Sequence, residues 1–244
     1  MIEIKNLKKS FGDLLVWQNV TFNINDSETV AIIGKSGSGK SVLIKHINAL
    51  LCPDEGEVLI DGRNVHELPY IQQRKLRQKF GILFQGSALF DSINTFENIA
   101  FPLRYFTNQS EGEIRDNVEE VLELVRLEGV GDKETSELSG GMKKRVGIAR
   151  AIILKPEYLM YDEPTSGLDP QTAEEINSLI IQMAEKLRIT SIVVTHDMHS
   201  VLKISDKVAF IDQQKLSWFG PTNEMKYSGH QELNSFVKAS EYQL

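Results

Sequence analysis

Apolar and polar side chains alternate along much of the first third of the chain, as they do in half-buried strands. The segments with this pattern are residues 2–4, 20–24 and 57–60. The last of them runs into Asp61-Gly62, a dipeptide typical of hairpin turns. Residues 29–33 are instead a short, mainly apolar run that ends at Gly34, which predicts a strand buried on both faces.

Three later runs have the same buried-strand character, and helical pattern separates them. They are residues 81–84, 158–161 and 191–195. Buried strands that alternate with helices predict a parallel sheet whose crossovers are right-handed.

A largely helical insertion is predicted between the buried runs at 81–84 and 158–161, over about residues 86–155. Its clearest helix begins at Ser110-x-x-Glu113, a capping box. A second helix is predicted to start behind Ser139 and to run to the break at Lys155-Pro156. Short polar helices are expected in the C-terminal tail, residues 221–244.

Composition and charge narrow the class of protein. Apolar residues make up 41% of the 244 residues and charged residues 25%, which excludes a disordered or low-complexity chain. The net charge of −7 disfavours binding to nucleic acid. The single cysteine, Cys52, cannot form an internal disulfide, so a reducing, intracellular location is expected. No apolar stretch has the length of a signal peptide or of a membrane span.

The strongest chemical signal is the segment from Gly34 to Ser41, which matches the pattern GxxxxGK[ST] between a buried strand and an apolar helix. Its glycines let backbone N–H groups converge on phosphate oxygens, and the helix start adds positive potential. Lys40 is predicted to reach the β- and γ-phosphates, and the Ser41 hydroxyl to ligate Mg²⁺. A plain glycine-rich turn is the alternative interpretation.

Two adjacent carboxylates, Asp162 and Glu163, end the strand at 158–161. Successive side chains of a strand point to opposite faces, so the two can take different roles. Asp162 suits the metal shell, and Glu163 can accept a proton from an attacking water. Without the phosphate-binding segment, such a pair is more often the solvated start of a loop.

Gln85 and His196 follow two other buried strands. Ligands of open α/β sheets bind beyond the carboxyl ends of the strands, so both side chains are predicted to face the nucleotide. Leu138-Ser-Gly-Gly-Met142 adds a second glycine-rich helix start, which is either an ordinary cap or another anion site. A second anion site is redundant within one chain, and we expect it to serve the nucleotide of a second copy.

Together these motifs resemble the nucleotide-binding subunits of ABC transporters, over nearly the whole chain from Ile2 to about Gly220. The resemblance implies an α/β fold of the P-loop NTPase class. In it, a RecA-like parallel sheet is joined by an antiparallel β subdomain and by a helical subdomain that carries the family's signature motif, which Leu138–Met142 matches. It also implies that residues 1–244 form a single ATPase domain.

The resemblance further assigns site residues. Glu163 and His196 are the expected catalytic residues, and Ser41, Gln85 and Asp162 the expected Mg²⁺ ligands. Phe11 stands where the family stacks an aromatic ring on adenine. The expected nucleotide-binding residues are Phe11, Gly34, Lys35, Ser36, Gly37, Ser38, Gly39, Lys40, Ser41, Val42, Ser139, Gly140 and Gly141.

The partners that the resemblance implies are a second copy, in a head-to-tail dimer that sandwiches ATP, and an integral membrane permease. The expected location is therefore peripheral, at the cytoplasmic face of the inner membrane. Two segments, Phe84–Ser92 and Glu97–Leu103, are similar to the ATPases of Mla-type phospholipid transport, which work with a lipid-binding MCE protein. The alternatives are a non-lipid importer, a cell-division ATPase, or a cytosolic ABC ATPase such as an iron–sulfur assembly scaffold.

Overall fold

The structure is a computed structural model, and it describes residues 1–241 of the chain. These residues form ten strands, arranged in two sheets, and eight α-helices. The strands are β1 (Ile2–Phe11), β2 (Leu14–Ile24), β3 (Thr29–Ile33), β4 (Glu55–Ile60), β5 (Arg63–Asn64), β6 (Phe80–Leu83), β7 (Tyr158–Asp162), β8 (Thr190–Val194), β9 (Lys207–Asp212) and β10 (Lys215–Pro221). The helices are α1 (Lys40–Ile47), α2 (Tyr70–Arg77), α3 (Thr95–Phe106), α4 (Glu111–Leu124), α5 (Gly140–Ile152), α6 (Pro170–Leu187), α7 (Met198–Ile204) and α8 (Gln231–Glu241).

The larger sheet has the order β10-β9-β3-β8-β7-β6. Its five strands from β9 to β6 are parallel, and β10 pairs antiparallel with β9. The smaller sheet, β2-β1-β4-β5, is antiparallel throughout. The predicted α/β class, with a parallel core and an antiparallel β portion, is confirmed, and so is the turn at Asp61-Gly62 that joins β4 to β5.

Alternation along the parallel strands divides the core between the two faces of the larger sheet. Val30 and Ile32 of β3 join the cluster that α1 and the smaller sheet cover. Ala31 and Ile33 point the other way, against α7 and α8. Helix α1 is therefore held between the two sheets, which fixes its N-terminal end at the carboxyl edge of the parallel strands.

The helices α3, α4 and α5 lie within residues 86–155 and share a core with the larger sheet. Apolar residues of α4 and α5 pack in one cluster with Leu159 and Tyr161 of β7. The capping box at Ser110 is present, with its hydroxyl accepting from the Glu113 N–H and the Glu113 carboxylate accepting from the Ser110 N–H. Helix α5 starts behind Ser139 as predicted but ends at Ile152, before Lys155.

One strand differs from its prediction. The run 81–84 was expected to be buried on both faces, but β6 is the edge strand of the larger sheet and ends at Leu83. Phe84 lies beyond it and is exposed. The pattern of an apolar run does not distinguish an inner strand from an edge strand, because that depends on which strands pair.

Candidate functional site

The segment between β3 and α1 folds into a loop that can cradle an anion. At Gly34 a Cβ would lie 2.3 Å from the carbonyl oxygen of Ile211, so the close approach of β9 requires glycine there. Gly39 has φ +90°, and a Cβ on it would collide with the Trp17 indole at 2.4 Å. No side chain caps the start of α1, so its first N–H groups are available to a ligand.

Trp17 is a site residue that the sequence analysis missed. Its fully buried indole donates from Nε1 to the carbonyl oxygen of Ser38, at 3.3 Å, and packs beneath Gly39. Alternation back from Val20, Phe22 and Ile24 would turn Gln18 inward, but β2 is irregular at Asn19, which has φ +56°, and Trp17 is buried instead. Only the packing of the two sheets shows that Trp17 lies under the loop.

Lys40, the first residue of α1, follows this loop directly and is almost completely buried. Its ammonium donates to the carbonyl oxygens of Gly34, at 2.8 Å, and Lys35, at 3.0 Å. Burial lowers the pKa of Lys40, and the nearby carboxylates of Glu163 and Asp162 act in the opposite direction. The loop thus holds a positive charge where the motif requires one for phosphate.

The oxygen donors expected around a divalent cation meet at the end of β7. The Ser41 hydroxyl donates to Asp162 Oδ1 at 3.3 Å. Burial raises the pKa of Asp162, and the charge of Glu163 adds to this, so a cation beside it would favour the ionised carboxylate. One carboxylate, one hydroxyl and phosphate oxygens are the donor set that Mg²⁺ takes in nucleotide sites. Ser41 and Asp162 therefore fit the expected ion, and Gln85 lines the same cleft.

The position of the Glu163 side chain relative to that of Asp162 is set by a turn of the backbone at Glu163, and not by strand alternation alone. It follows the last residue of β7 and has φ +50°, in the left-handed region. Its carboxylate accepts hydrogen bonds from Thr195 Oγ1, at 3.2 Å, and from the ring of His196, with Nδ1 2.8 Å from Oε1. The two predicted catalytic residues, Glu163 and His196, are thus brought into direct contact.

These residues surround one open cleft of about 1040 Å³ at the carboxyl edge of the larger sheet. The predicted site residues that line it are Gly34, Lys35, Ser36, Gly37, Gly39, Lys40, Ser41, Val42, Gln85, Asp162, Glu163 and His196. The structure therefore places residues from four separate segments, 34–42, 85, 162–163 and 196, around a single cavity, at the position where α/β sheets bind ligands.

Helix α8 forms a further wall of this cleft that was not predicted. Gln231, Glu232, Ser235 and Phe236 line it, and the Phe236 ring packs 5.4 Å from that of Phe210. The apolar residues at 233, 236 and 237 have helical spacing, which could have indicated that this helix packs on the sheet.

Five predicted nucleotide-binding residues do not line the cleft, and one of them is Ser38, whose carbonyl oxygen accepts from Trp17. Phe11 ends β1 with its ring 47% exposed and the Lys9 ammonium 5.4 Å from the ring centroid. At the start of α5, away from the cleft, Ser139 and Gly140 are exposed and Gly141 is buried. The Ser139 hydroxyl accepts from the Met142 N–H. Their roles in binding nucleotide stay predictions.

Comparisons with known proteins agree with this site. The family model described as ABC transporter matches residues 17–166, more than half of the chain. The chain is 40% identical over 236 residues to a probable ribonucleotide transport ATP-binding protein, mkl, of Mycobacterium leprae, covering 97% of this chain and 68% of that protein. It is 39% identical over 241 residues to the methionine import ATP-binding protein MetN of Clostridium tetani, covering 99% and 76%.

A third relative is the intermembrane phospholipid transport system ATP-binding protein MlaF of Haemophilus influenzae. It is 41% identical over 238 residues, which cover 98% of this chain and 90% of that protein. Among solved structures, the dimeric ATP-binding cassette MJ0796, in a post-hydrolysis state with ADP and Pi, matches with a TM-score of 0.83 and 32% identity. That match covers 91% of this chain and 99% of the cassette.

Proposed function

The chain belongs to the ABC transporter family, and from this premise we propose that it binds and hydrolyses ATP to drive a partner permease. The observation that carries the proposal is the cleft that joins the phosphate-binding loop, Asp162, Glu163 and His196. No helix within residues 1–241 is long and apolar enough to cross a membrane. The permease is proposed as the partner because similar proteins are named as ATP-binding proteins of transport systems.

The mechanism follows from the groups in the cleft. Backbone N–H groups of the loop bind the β- and γ-phosphates, and the Lys40 ammonium offsets their charge. Ser41, Asp162 and Gln85 would hold Mg²⁺, which would supply further charge neutralisation at the phosphates. Glu163 accepts a proton from the attacking water. His196, whose ring hydrogen-bonds to the Glu163 carboxylate, lies beside the γ-phosphate in this proposal.

A second copy completes the site in this proposal. Ser139 and Gly140 are exposed at the start of a helix that carries no cleft residue, and one chain cannot bring them to its own nucleotide without rearrangement. The dimeric form of the similar cassette MJ0796 supports a head-to-tail pair in which each nucleotide lies between one loop and the partner's helix start.

An exposed aromatic surface on α3 and the segment before it supports docking to a permease. We call it the aromatic surface, and its members are Phe90, Phe101, Tyr105 and Phe106. The rings of Phe90 and Phe101 lie 5.1 Å apart, and those of Tyr105 and Phe106 lie 4.8 Å apart. Contiguous exposed apolar side chains of this kind mark binding sites for other proteins.

The cargo is proposed to be phospholipid, delivered through a lipid-binding MCE protein. The support is the similarity to MlaF over almost all of both chains and the Mla-type sequence between Phe84 and Leu103. Import of a small polar solute is the second candidate, because other relatives are named for methionine and ribonucleotide transport.

Copurification tests the partnership and the cargo together. The tagged chain, extracted from membranes in mild detergent, is expected to bring down one integral permease. Replacing Phe101 and Tyr105 by Ser should release that permease, whereas replacing Tyr227, which is 87% exposed on another surface, should not.

ATPase activity of the complex should rise with phospholipid and not with methionine. Recovery of the chain alone would contradict the proposal, and stimulation by methionine would select the second candidate.

A further inference from the structure

Lys144 is a buried lysine outside the motifs described above. It lies in α5, three residues after Gly141, and its side chain is only 5% exposed. Its ammonium donates to the backbone carbonyl oxygen of Gln85 at 2.5 Å and to that of Glu163 at 3.0 Å. One charged group therefore joins the signature helix to the segments that follow β6 and β7.

A lysine in this position is costly unless its hydrogen bonds are made, because burial disfavours a charged ammonium. Burial lowers the pKa of Lys144, and the carboxylates of Glu163 and Asp162 oppose that effect. An uncharged residue could fill the same space more cheaply. The two main-chain contacts therefore indicate a specific role for the ammonium rather than simple packing.

The contact with Glu163 falls at a strained point of the backbone. Glu163 has φ +50°, in the left-handed region that residues with a side chain rarely adopt. Its N–H donates to the carbonyl oxygen of Val194 at 2.8 Å, and its own carbonyl accepts from Lys144. These two bonds hold the main chain in the conformation that directs the carboxylate toward Thr195 and His196.

We propose that Lys144 is a positioning residue for hydrolysis, which ties the start of α5 to the main chain at Gln85 and Glu163 and so holds the base in place. Movement of α5 would then be transmitted to the base and to Gln85 through one side chain. The proposal rests on the ATP hydrolysis proposed above. It adds that the helix carrying Ser139 and Gly140 controls the base of its own chain.

The first test is the Lys144→Met variant, which removes the ammonium and keeps an unbranched side chain. We expect kcat for ATP hydrolysis to fall roughly 10- to 100-fold, as it does when reacting groups are displaced by about 1 Å, while KM for ATP changes less than about twofold. Lys143→Met is the matched control. Lys143 is the adjacent, partly buried lysine of α5 and does not make the Gln85 and Glu163 contacts, so its replacement should leave kcat unchanged.

A second measurement separates positioning from general stability. In a Glu163→Gln background the base is already lost, so adding Lys144→Met should lower kcat by less than about twofold. Lys144→Gln, which retains an N–H donor, should recover part of the activity and serves if the Met variant does not fold. Equal losses in both backgrounds, or a change in KM alone, would overturn the proposal. A wild-type chain without ATPase activity would instead contradict the proposed function.

Discussion

Two helices of this molecule begin behind glycine-rich segments, and their first turns are built differently. Helix α1 starts after Gly39 with no side-chain cap, so its N–H groups stay open inside the cleft. Helix α5 starts after Ser139, whose hydroxyl accepts from the Met142 N–H, and it lies outside the cleft. The first start is surrounded by a lysine and two carboxylates of its own chain. The start of α5 has two glycines, Gly140 and Gly141, but it lies outside the cleft that holds these charged groups.

This difference suggests a division of labour between two anion sites in one chain. The start of α1 carries the groups that we propose bind the nucleotide and activate water, so we expect it to hold a nucleotide by itself. The start of α5 can only complete a site whose reactive groups belong to another copy. Three predictions test this division, beginning with the largest expected effect.

Replacing Glu163 by Gln should stop ATP hydrolysis in the cleft at the start of α1 without weakening the binding of ATP. Gln preserves the shape of the side chain but cannot accept the proton of water, so kcat should fall by roughly 10²- to 10⁴-fold. ATP affinity should stay near that of the wild type, because the loop and Lys40 are unchanged. Single-turnover hydrolysis and equilibrium binding of ATP measure the two quantities. Wild-type turnover in this variant would show that another group is the base.

Much of this arrangement could be predicted from the sequence, because its signals are local. The spacing from Gly34 to Ser41 and the buried runs before it and before Asp162 require only short segments of chain. Since the carboxyl ends of parallel strands share one edge, the meeting of Lys40, Glu163 and His196 follows from the predicted sheet.

The remainder depends on contacts between distant segments. Trp17 under the loop, the wall formed by α8 and the bonds of Lys144 all require knowledge of which elements pack together. The strand at 207–212 was also missed, although its apolar run Val208–Ile211 indicates it. The edge position of β6 is set by pairing order, which no single strand encodes.

Mixing two inactive variants should restore activity if each site is shared between copies. Lys40→Ala removes the charge beside the phosphates, and Gly140→Asp places a negative charge at the start of α5. A Cβ at Gly140 meets only the end of the Leu168 side chain, at 3.3 Å, so this variant should fold. Each variant alone should be nearly inactive. An equal mixture should recover roughly a quarter of wild-type turnover, because half of the dimers are mixed and each of those holds one intact site.

Steady-state ATPase assays of the separate and mixed variants measure this recovery, and melting curves confirm that both variants are folded. No recovery from two folded variants would contradict a shared site. Activity of Gly140→Asp alone would show that the start of α5 has no part in the reaction.

The smallest expected effect is that of Ser139→Ala, and Ser110→Ala is its matched control. Both serines cap helices between residues 86 and 155, so each replacement should cost about 1 kcal/mol and lower Tm by about 2–4 °C. Only Ser139 is proposed to face a partner's nucleotide, and loss of that hydrogen bond should weaken the ATP-dependent dimer roughly tenfold. Sedimentation with ATP in the Glu163→Gln background measures this association. Equal weakening by both replacements would mean that Ser139 acts through helix stability, and α5 would then be an ordinary capped helix.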